Sequence, residues 1–352
     1  LRIRKGAVLK ISQGGILRLN EGAELIVEKG GQLVFEPGSS VFWDGAAITS
    51  RGQFQIVQGA KFSPVGKGTL SLEEGHRFSA PNGGQLLFSG ASVVISTPVT
   101  LPSSLQKTRF VASNVVYKNK ARLRSLSPFE ALRSSFTISS NKQWPGLDIR
   151  NTSTSLDSCV FTGGAPALTT SETDVSIQRC YFKNATLGYR ALKSPKLFDS
   201  NEFSACIGGA KISGSSTRIL NSAFISCEKG LELQAQKGTA FIERSIFSGN
   251  TREGLYSDGL DLRPICSSFE NNTVGLEIYN AGINLANNAG CHFTSNSIGI
   301  QATSLDHLQL NNGHNTFAAN SITDIKASLS TYANVAFNGS YYYFLANYNS
   351  FS

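Results

Sequence analysis

An all-β, three-sided β-solenoid of about 13–15 coils is the fold this chain predicts. Two observations carry that expectation. A phenylalanine returns once per coil, at Phe161, Phe182, Phe203, Phe224, Phe247, Phe269, Phe293 and Phe317, with gaps of 21, 21, 21, 23, 22, 24 and 24 residues. Residues 6–45 parse as five octads that each open on glycine, at Gly6, Gly14, Gly22, Gly30 and Gly38. Three octads make 24 residues, the length of the later coils, so one continuous solenoid is expected over 1–352.

In the octads, the fourth and sixth positions are apolar: Leu9 and Ile11, Leu17 and Leu19, Leu25 and Val27, Leu33 and Phe35, Val41 and Trp43. Alternation at period 2 puts such pairs on one strand face, and the leading glycine suits a tight corner. Residues 46–150 are less regular. Phe54 and Ile56, Leu70 and Leu72, Val93 and Ile95, and Val115 still fit short strands. SPFEAL at 127–132 interrupts the pattern, and its Ser127, Pro128 and Glu130 read as N-cap, N1 and N3 of a short helical insertion. The regular coils of 151–338 carry the Phe on a first strand. Aliphatic pairs follow on a second (Ala210 and Ile212, Leu231 and Leu233, Leu276 and Ile278) and on a third (Thr217 and Ile219, Ala240 and Ile242, Ile283 and Leu285). Three residues after the Phe stand Cys206, Cys227, Asn250, Asn272, Asn296 and Asn320, which predicts an amide ladder along the stack.

The six cysteines follow the same register. Cys159 and Cys180 precede a Phe by two residues, and Cys206 and Cys227 follow one by three. Each pair is expected as stacked buried thiols, because in-register Cβ vectors run parallel and suit a disulfide poorly. Cys266 and Cys291 differ in register by one position. No spacing suggests a zinc site. Tyr341, Tyr342, Tyr343, Phe344 and Tyr348 end the chain and are expected to cap the open solenoid at 339–352, or to link to a following domain.

Net charge is +8. Lys118, Lys120, Arg122 and Arg124 alternate, so a strand would align them as a stripe for an acidic polysaccharide or phosphate. No nucleic-acid reader motif accompanies them. No apolar run is long enough for a transmembrane span. A chain that starts at Leu1 and contains no Met is expected to be a mature or trimmed product with flanking segments removed.

The coils resemble right-handed parallel β-helix repeat proteins of the pectate-lyase-like superfamily. KQWPGLDIRNTSTSLDSCVFTGG at 142–164, with Trp144, Gly146 and Leu147, is similar to secreted β-helix proteins of Bacteroidetes-type bacteria. The FxxN motifs at 247, 269, 293 and 317, with GGAKI at 208–212, resemble repeats of chlamydial autotransporter passengers. The resemblance implies a secreted or bacterial cell-surface location. It also implies a test for catalysis, because the superfamily's hydrolases and lyases use clustered carboxylates, with Ca²⁺ in the lyases. Asp157 and Asp199 lie two coils apart, about 10 Å by strand spacing, near the separation of an inverting glycosidase. However, Gln178 stands between them. Glu253, Asp258 and Asp261, with Arg252 and Arg263, form a second candidate set. His76, His292, His307 and His314 are scattered, and no nucleophile elbow or P-loop is present. The expectation is a non-catalytic scaffold or adhesin-like protein, without cofactor, that binds glycan or a protein partner. A polysaccharide lyase or glycoside hydrolase acting on an acidic polysaccharide is the first alternative. An accessory subunit of a bacterial secretion or surface machine is the second.

Overall fold

The computed structural model describes residues 1–64, 67–118, 120–139, 145–151, 153–172, 174–287, 289–310, 313–336, 344–345 and 350–351, with side chains through 328. It is an all-β parallel β-solenoid of about 14 turns, with no helix among the described residues, and it divides into two compact units, Leu1–Ser176 and Ile177–Ser352. Trp144 and the proposed C-terminal cap at Tyr341, Tyr342, Tyr343 and Tyr348 lie outside the described residues, as does the side chain of Phe344. Among the described residues, no helix is long and apolar enough to cross a membrane.

In the first unit the octads stack three apart. Val8–Ile11 pairs in parallel with Gln32–Phe35, matching Leu9 to Leu33 and Ile11 to Phe35. The inward pairs Leu25 and Val27, Leu33 and Phe35, and Val41 and Trp43 are all buried, so alternation decides which side chains enter the core. Leu9 and Leu17, on the first coil described, are half-exposed. Rings fill the interior edge-on: Phe35 and Phe62 have centroids 5.4 Å apart at 65°, and Trp43 meets Phe62 at 89°.

SPFEAL is a strand and not a helical insertion. Phe129–Leu132 pairs with Lys107–Val111 on one side and Thr154–Asp157 on the other. Phe129 and Ala131 are buried. Glu130 faces outward between Lys107, at 2.6 Å, and Arg109, at 3.1 Å. The buried Ser127 hydroxyl, read as a helix cap, lies 3.0 Å from the Thr108 hydroxyl. Period-2 burial of Phe129 and Ala131 and parallel partners on both edges outweigh a three-residue capping signal.

In the second unit each Phe strand is three residues long, as in Ala223–Ile225 and Ile246–Ser248. Left-handed residues flank it on both sides: Asn221 (φ 46°), Arg244 (φ 47°) and Cys266 (φ 48°) before, and Ser226 (φ 53°), Asn271 (φ 56°) and Ser295 (φ 56°) after. Such non-glycine corners cost about 1–2 kcal/mol each. The stack that they make possible offsets this. The rings of Phe182, Phe203, Phe224, Phe247, Phe269, Phe293 and Phe317 lie face to face, with successive centroids 4.5, 4.9, 5.0, 4.8, 4.7 and 4.8 Å apart.

Two side-chain ladders run beside the rings. In the expected one, the Nδ2 of Asn250 donates to the Oδ1 of Asn272 at 2.8 Å, that of Asn272 to Asn296 at 3.0 Å, and that of Asn296 to Asn320 at 3.1 Å. The other lies two residues before each Phe. There the backbone N–H of Cys180 donates to Asn201, that of Asn201 to Ser222, that of Ser222 to Ser245 and that of Ser245 to Ser267. Cys206 and Cys227 are buried free thiols at the head of the asparagine row, and Cys159 and Cys180 are also buried. The Cys206 side chain and burial hold the Cys227 thiol well above its usual range. Cys291 points inward and is pushed up to about 12 by burial, whereas Cys266 sits exposed on its left-handed corner.

Glycine is required where the second strand starts. A Cβ on Gly230 would lie 2.3 Å from the Gly254 carbonyl oxygen and 3.1 Å from Phe224 Cβ. Gly230→Ala is therefore expected to cost about 2–3 kcal/mol, read from the urea midpoint of the full chain. Gly249→Ala should cost about 1 kcal/mol for its left-handed backbone, because nothing lies within 3.6 Å of its added carbon. Equal midpoints for the two variants would show that the close approach at Gly230 is not a constraint.

Candidate functional site

The second strands of the second unit present an ordered outer surface. They comprise Gly208–Ser213, Lys229–Gln234, Glu253–Asp258, Val274–Tyr279 and Ile298–Gln309. Because Leu231, Leu255, Leu276 and Ile300 point inward, the residues after them point out. Parallel register aligns these as a row of Lys211, Glu232, Tyr256, Glu277, Gln301 and Lys326. A second row, two residues on, holds Gln234, Asp258, Tyr279 and Thr303.

These side chains hold one another in place. Tyr256 and Tyr279 come from adjacent coils and different rows, with ring centroids 5.6 Å apart and tilted by 39°. Lys229 Nζ sits 5.0 Å from the Tyr256 centroid, a cation–π contact. Glu277 faces outward yet is only 8% exposed. Its Oε1 accepts from the Tyr279 hydroxyl at 3.0 Å and from Gln301 Nε2 at 2.8 Å. Glu253 has a side chain 9% exposed, with Arg252 at 3.3 Å and Lys229 at 3.6 Å. Its Oε2 has no hydrogen-bond donor. Lys211 donates to Glu232 at 2.8 Å. Burial, and then the charge of Asp258, push the Tyr256 phenol up to about 12. The hydrogen bond to Glu277 raises that of Tyr279. Both phenols therefore stay protonated at neutral pH, and Tyr279 remains a donor. Around the two tyrosines, on the strands Lys229–Gln234, Glu253–Asp258 and Val274–Tyr279 and the residues that open them, Glu228, Glu232, Glu253, Asp258 and Glu277 stand against Lys229 and Arg252. This is a local acidic balance on a basic chain, while Arg190, Lys211 and Lys326 lie towards the ends of the row.

Beside this face, at the corner after the asparagine ladder, runs a shallow neutral groove of about 490 Å³ lined by Thr251, Asn271, Thr273, Ser295, Ser297 and Ser321. Hydroxyl and amide groups repeat there once per coil.

The residues singled out from sequence fall as follows. Glu253 and Asp258 stand at opposite ends of one strand, about 16 Å apart by strand rise, and Asp261 opens the next strand beyond the Gly259 corner. The three carboxylates are therefore not gathered by a turn. Asp258 accepts from Asn280 at 3.1 Å, and Asp261 accepts from the Gly282 N–H at 2.8 Å. Asp157 belongs to the first unit, where it accepts from Ser158 at 3.0 Å. Asp199 belongs to the second, where it accepts from Ser200 at 3.0 Å and Asn221 at 2.7 Å. Lys118 and Lys120 lie in a turn closed by the Ala121 N–H on the Lys118 carbonyl, between the strands Asn114–Tyr117 and Leu123–Ser125. Arg122 and Arg124 follow, and Arg124 is bound to Asp148 at 2.9 Å. The four bases thus do not share one strand, because the buried Ala121 turns the chain between them. Among the described residues, no group of three His, Cys, Asp or Glu is placed to hold a metal ion.

Sequence reasoning passed over Lys229, Glu232, Tyr256, Glu277 and Tyr279. The period-2 pattern marks them as outward. Their adjacency depends on the register between coils.

These coils, with their parallel ladders, stacked Phe row and asparagine row, define a right-handed parallel β-helix. Residues 131–274 match the family model described as right handed beta helix region. Among solved structures, the chain is similar to the periplasmic alginate epimerase AlgG at 9% identity and a TM-score of 0.45, over 92% of this chain and 84% of that one. A mutant of the same epimerase aligns at 9% identity and a TM-score of 0.26, over 96% and 82%. No curated protein matches the chain.

Proposed function

We propose that this β-helix is a non-catalytic binding element that works outside the cytoplasm and takes glycan on the Tyr256–Tyr279 face. The observation that carries the reading is the pair of half-buried tyrosines fixed side by side among hydrogen-bonded carboxylates and amides. Aromatic rings offer flat apolar area to the C–H faces of a sugar, and oriented polar groups meet its hydroxyls. Sheet strands hold these groups more rigidly than loops would. The acidic balance of the face favours a neutral or amino sugar over a uronate. The extracytoplasmic placement rests on the resemblance to secreted β-helix proteins.

Oligosaccharides of neutral, amino and acidic sugars titrated into the full chain should separate in that order of preference. Tyr256→Ala and Tyr279→Ala are each expected to weaken the preferred ligand about tenfold or more, with the thermal midpoint nearly unchanged. Binding that is indifferent to both tyrosines would overturn the reading. New reducing ends or unsaturated products would replace it with the hydrolase or lyase reading. Glu253 and Glu277 would then be the first residues to neutralise.

A further inference from the structure

A corner of the first unit holds a groove that the glycan reading does not use. Its volume is about 230 Å³, below the ~300–1,000 Å³ of pockets that enclose a drug-sized ligand. Three coils build it. Its hollow exists because Gly31 and Gly52 carry no side chains, and a Cβ on Gly52 would lie 2.4 Å from the Gly31 carbonyl oxygen. Its polar wall is the in-register row Gln32, Gln53 and Arg77. Lys29 comes from the first of the three coils and leans towards the third, where its Cγ would lie 3.5 Å from a Cβ on Gly75. Lys29 and Arg77, from different coils, thus line one small cleft with Gln32 and Gln53 between them.

No carboxylate lies within ion-pair distance of Lys29 or Arg77 among the described residues. The neighbouring acids Glu28 and Glu73 pair instead with Arg2, at 3.5 Å, and Arg51, at 2.6 Å. Glu74, exposed at the corner beside Gly75, is the remaining acid nearby, so the site keeps a positive balance.

We propose that this groove binds a tetrahedral oxyanion, a phosphate or sulfate group. The guanidinium fork, the ammonium and two amide NH₂ groups offer more donors than the two oxygens of a carboxylate engage, whereas phosphate or sulfate presents three or four oxygens. The lining has no aromatic ring to stack a nucleobase, which sets the site apart from a nucleic-acid groove.

The test titrates the full chain with inorganic phosphate, sulfate, acetate and a hexose phosphate, followed by calorimetry. Phosphate and sulfate should bind about tenfold more tightly than acetate. The double variant Lys29→Gln/Arg77→Gln should lose that binding with an unchanged thermal midpoint, and Lys118→Gln/Lys120→Gln should retain it. Hexose phosphate binding more tightly than the free ion identifies a sugar-borne group, and equal binding identifies the free anion. No phosphate or sulfate binding, acetate binding as well as phosphate, or equal losses in both double variants would overturn the proposal.

Discussion

Asn272→Ala is expected to destabilise the second unit by about 4 kcal/mol. The side chain serves three coils at once. Its Oδ1 accepts from the Asn250 backbone N–H at 3.0 Å and from Asn250 Nδ2 at 2.8 Å. Its Nδ2 donates to the Phe247 carbonyl and to Asn296 Oδ1, both at 3.0 Å. Truncation removes these four hydrogen bonds inside a core where Asn250, Asn272 and Asn296 are all buried. Each buried group left without a partner costs about 1–3 kcal/mol, so the penalty exceeds the net worth of the bonds themselves. The next residue, Thr273, is exposed, and its hydroxyl donates to the Thr251 carbonyl at 2.8 Å. Thr273→Ala should therefore stay within about 0.5 kcal/mol of the parent. Urea midpoints of the two variants decide the matter. A loss below about 1 kcal/mol for Asn272→Ala would mean that the ladder merely fills space.

Acid should weaken the first unit through His76. The imidazole is 6% exposed, its Nδ1 lies 2.7 Å from the Ser50 hydroxyl, and the edges of Phe54 and Phe78 meet it at 5.1 and 4.5 Å. Its Nε2 is buried without a partner, so an imidazolium would have no acceptor there. Burial lowers its pKa from 6.5 to about 3. The folded value lies below the unfolded one, so the unfolded chain takes up this proton first. The contribution is intact above pH 6.5 and is lost as pH falls towards 3, at about 1.4 kcal/mol per pH unit. Between pH 7 and 5 the expected loss is about 2 kcal/mol. His76→Gln keeps a polar group near Ser50 and does not titrate. Its urea midpoint should fall less steeply with pH than that of the parent. Identical slopes would show that His76 takes up a proton in the folded state.

The two ladders were not equally legible. The asparagines repeat as one residue type three positions after the Phe, and the eye finds them. The other row holds Cys180, Asn201, Ser222, Ser245, Ser267, Cys291 and Asn315, which share no identity. They share only smallness and an atom able to hydrogen-bond the neighbouring coil, a property that needs the stacked geometry to be recognised. SPFEAL misled for the opposite reason. Its local capping signal is genuine in type, but Phe129 and Ala131 had core positions to fill and two strands to pair with.

By itself the sequence determined that the chain is a parallel stack of short strands, which residues face inward, and that Phe and Asn repeat in register along it. These are consequences of period-2 alternation and coil length, and both are local in the chain. Only the tertiary structure decided which outward residues are neighbours. Phe224 and Phe247 are 23 residues apart, yet in the same pair of coils Leu231 meets Leu255 across 24 and Ala240 meets Leu262 across 22. The extra residue of a coil is absorbed at one corner and returned at another. The placement of that residue set Tyr256 beside Glu277 and drew Tyr279 against it. Cross-coil hydrogen bonding fixes the placement, and a linear repeat does not record it.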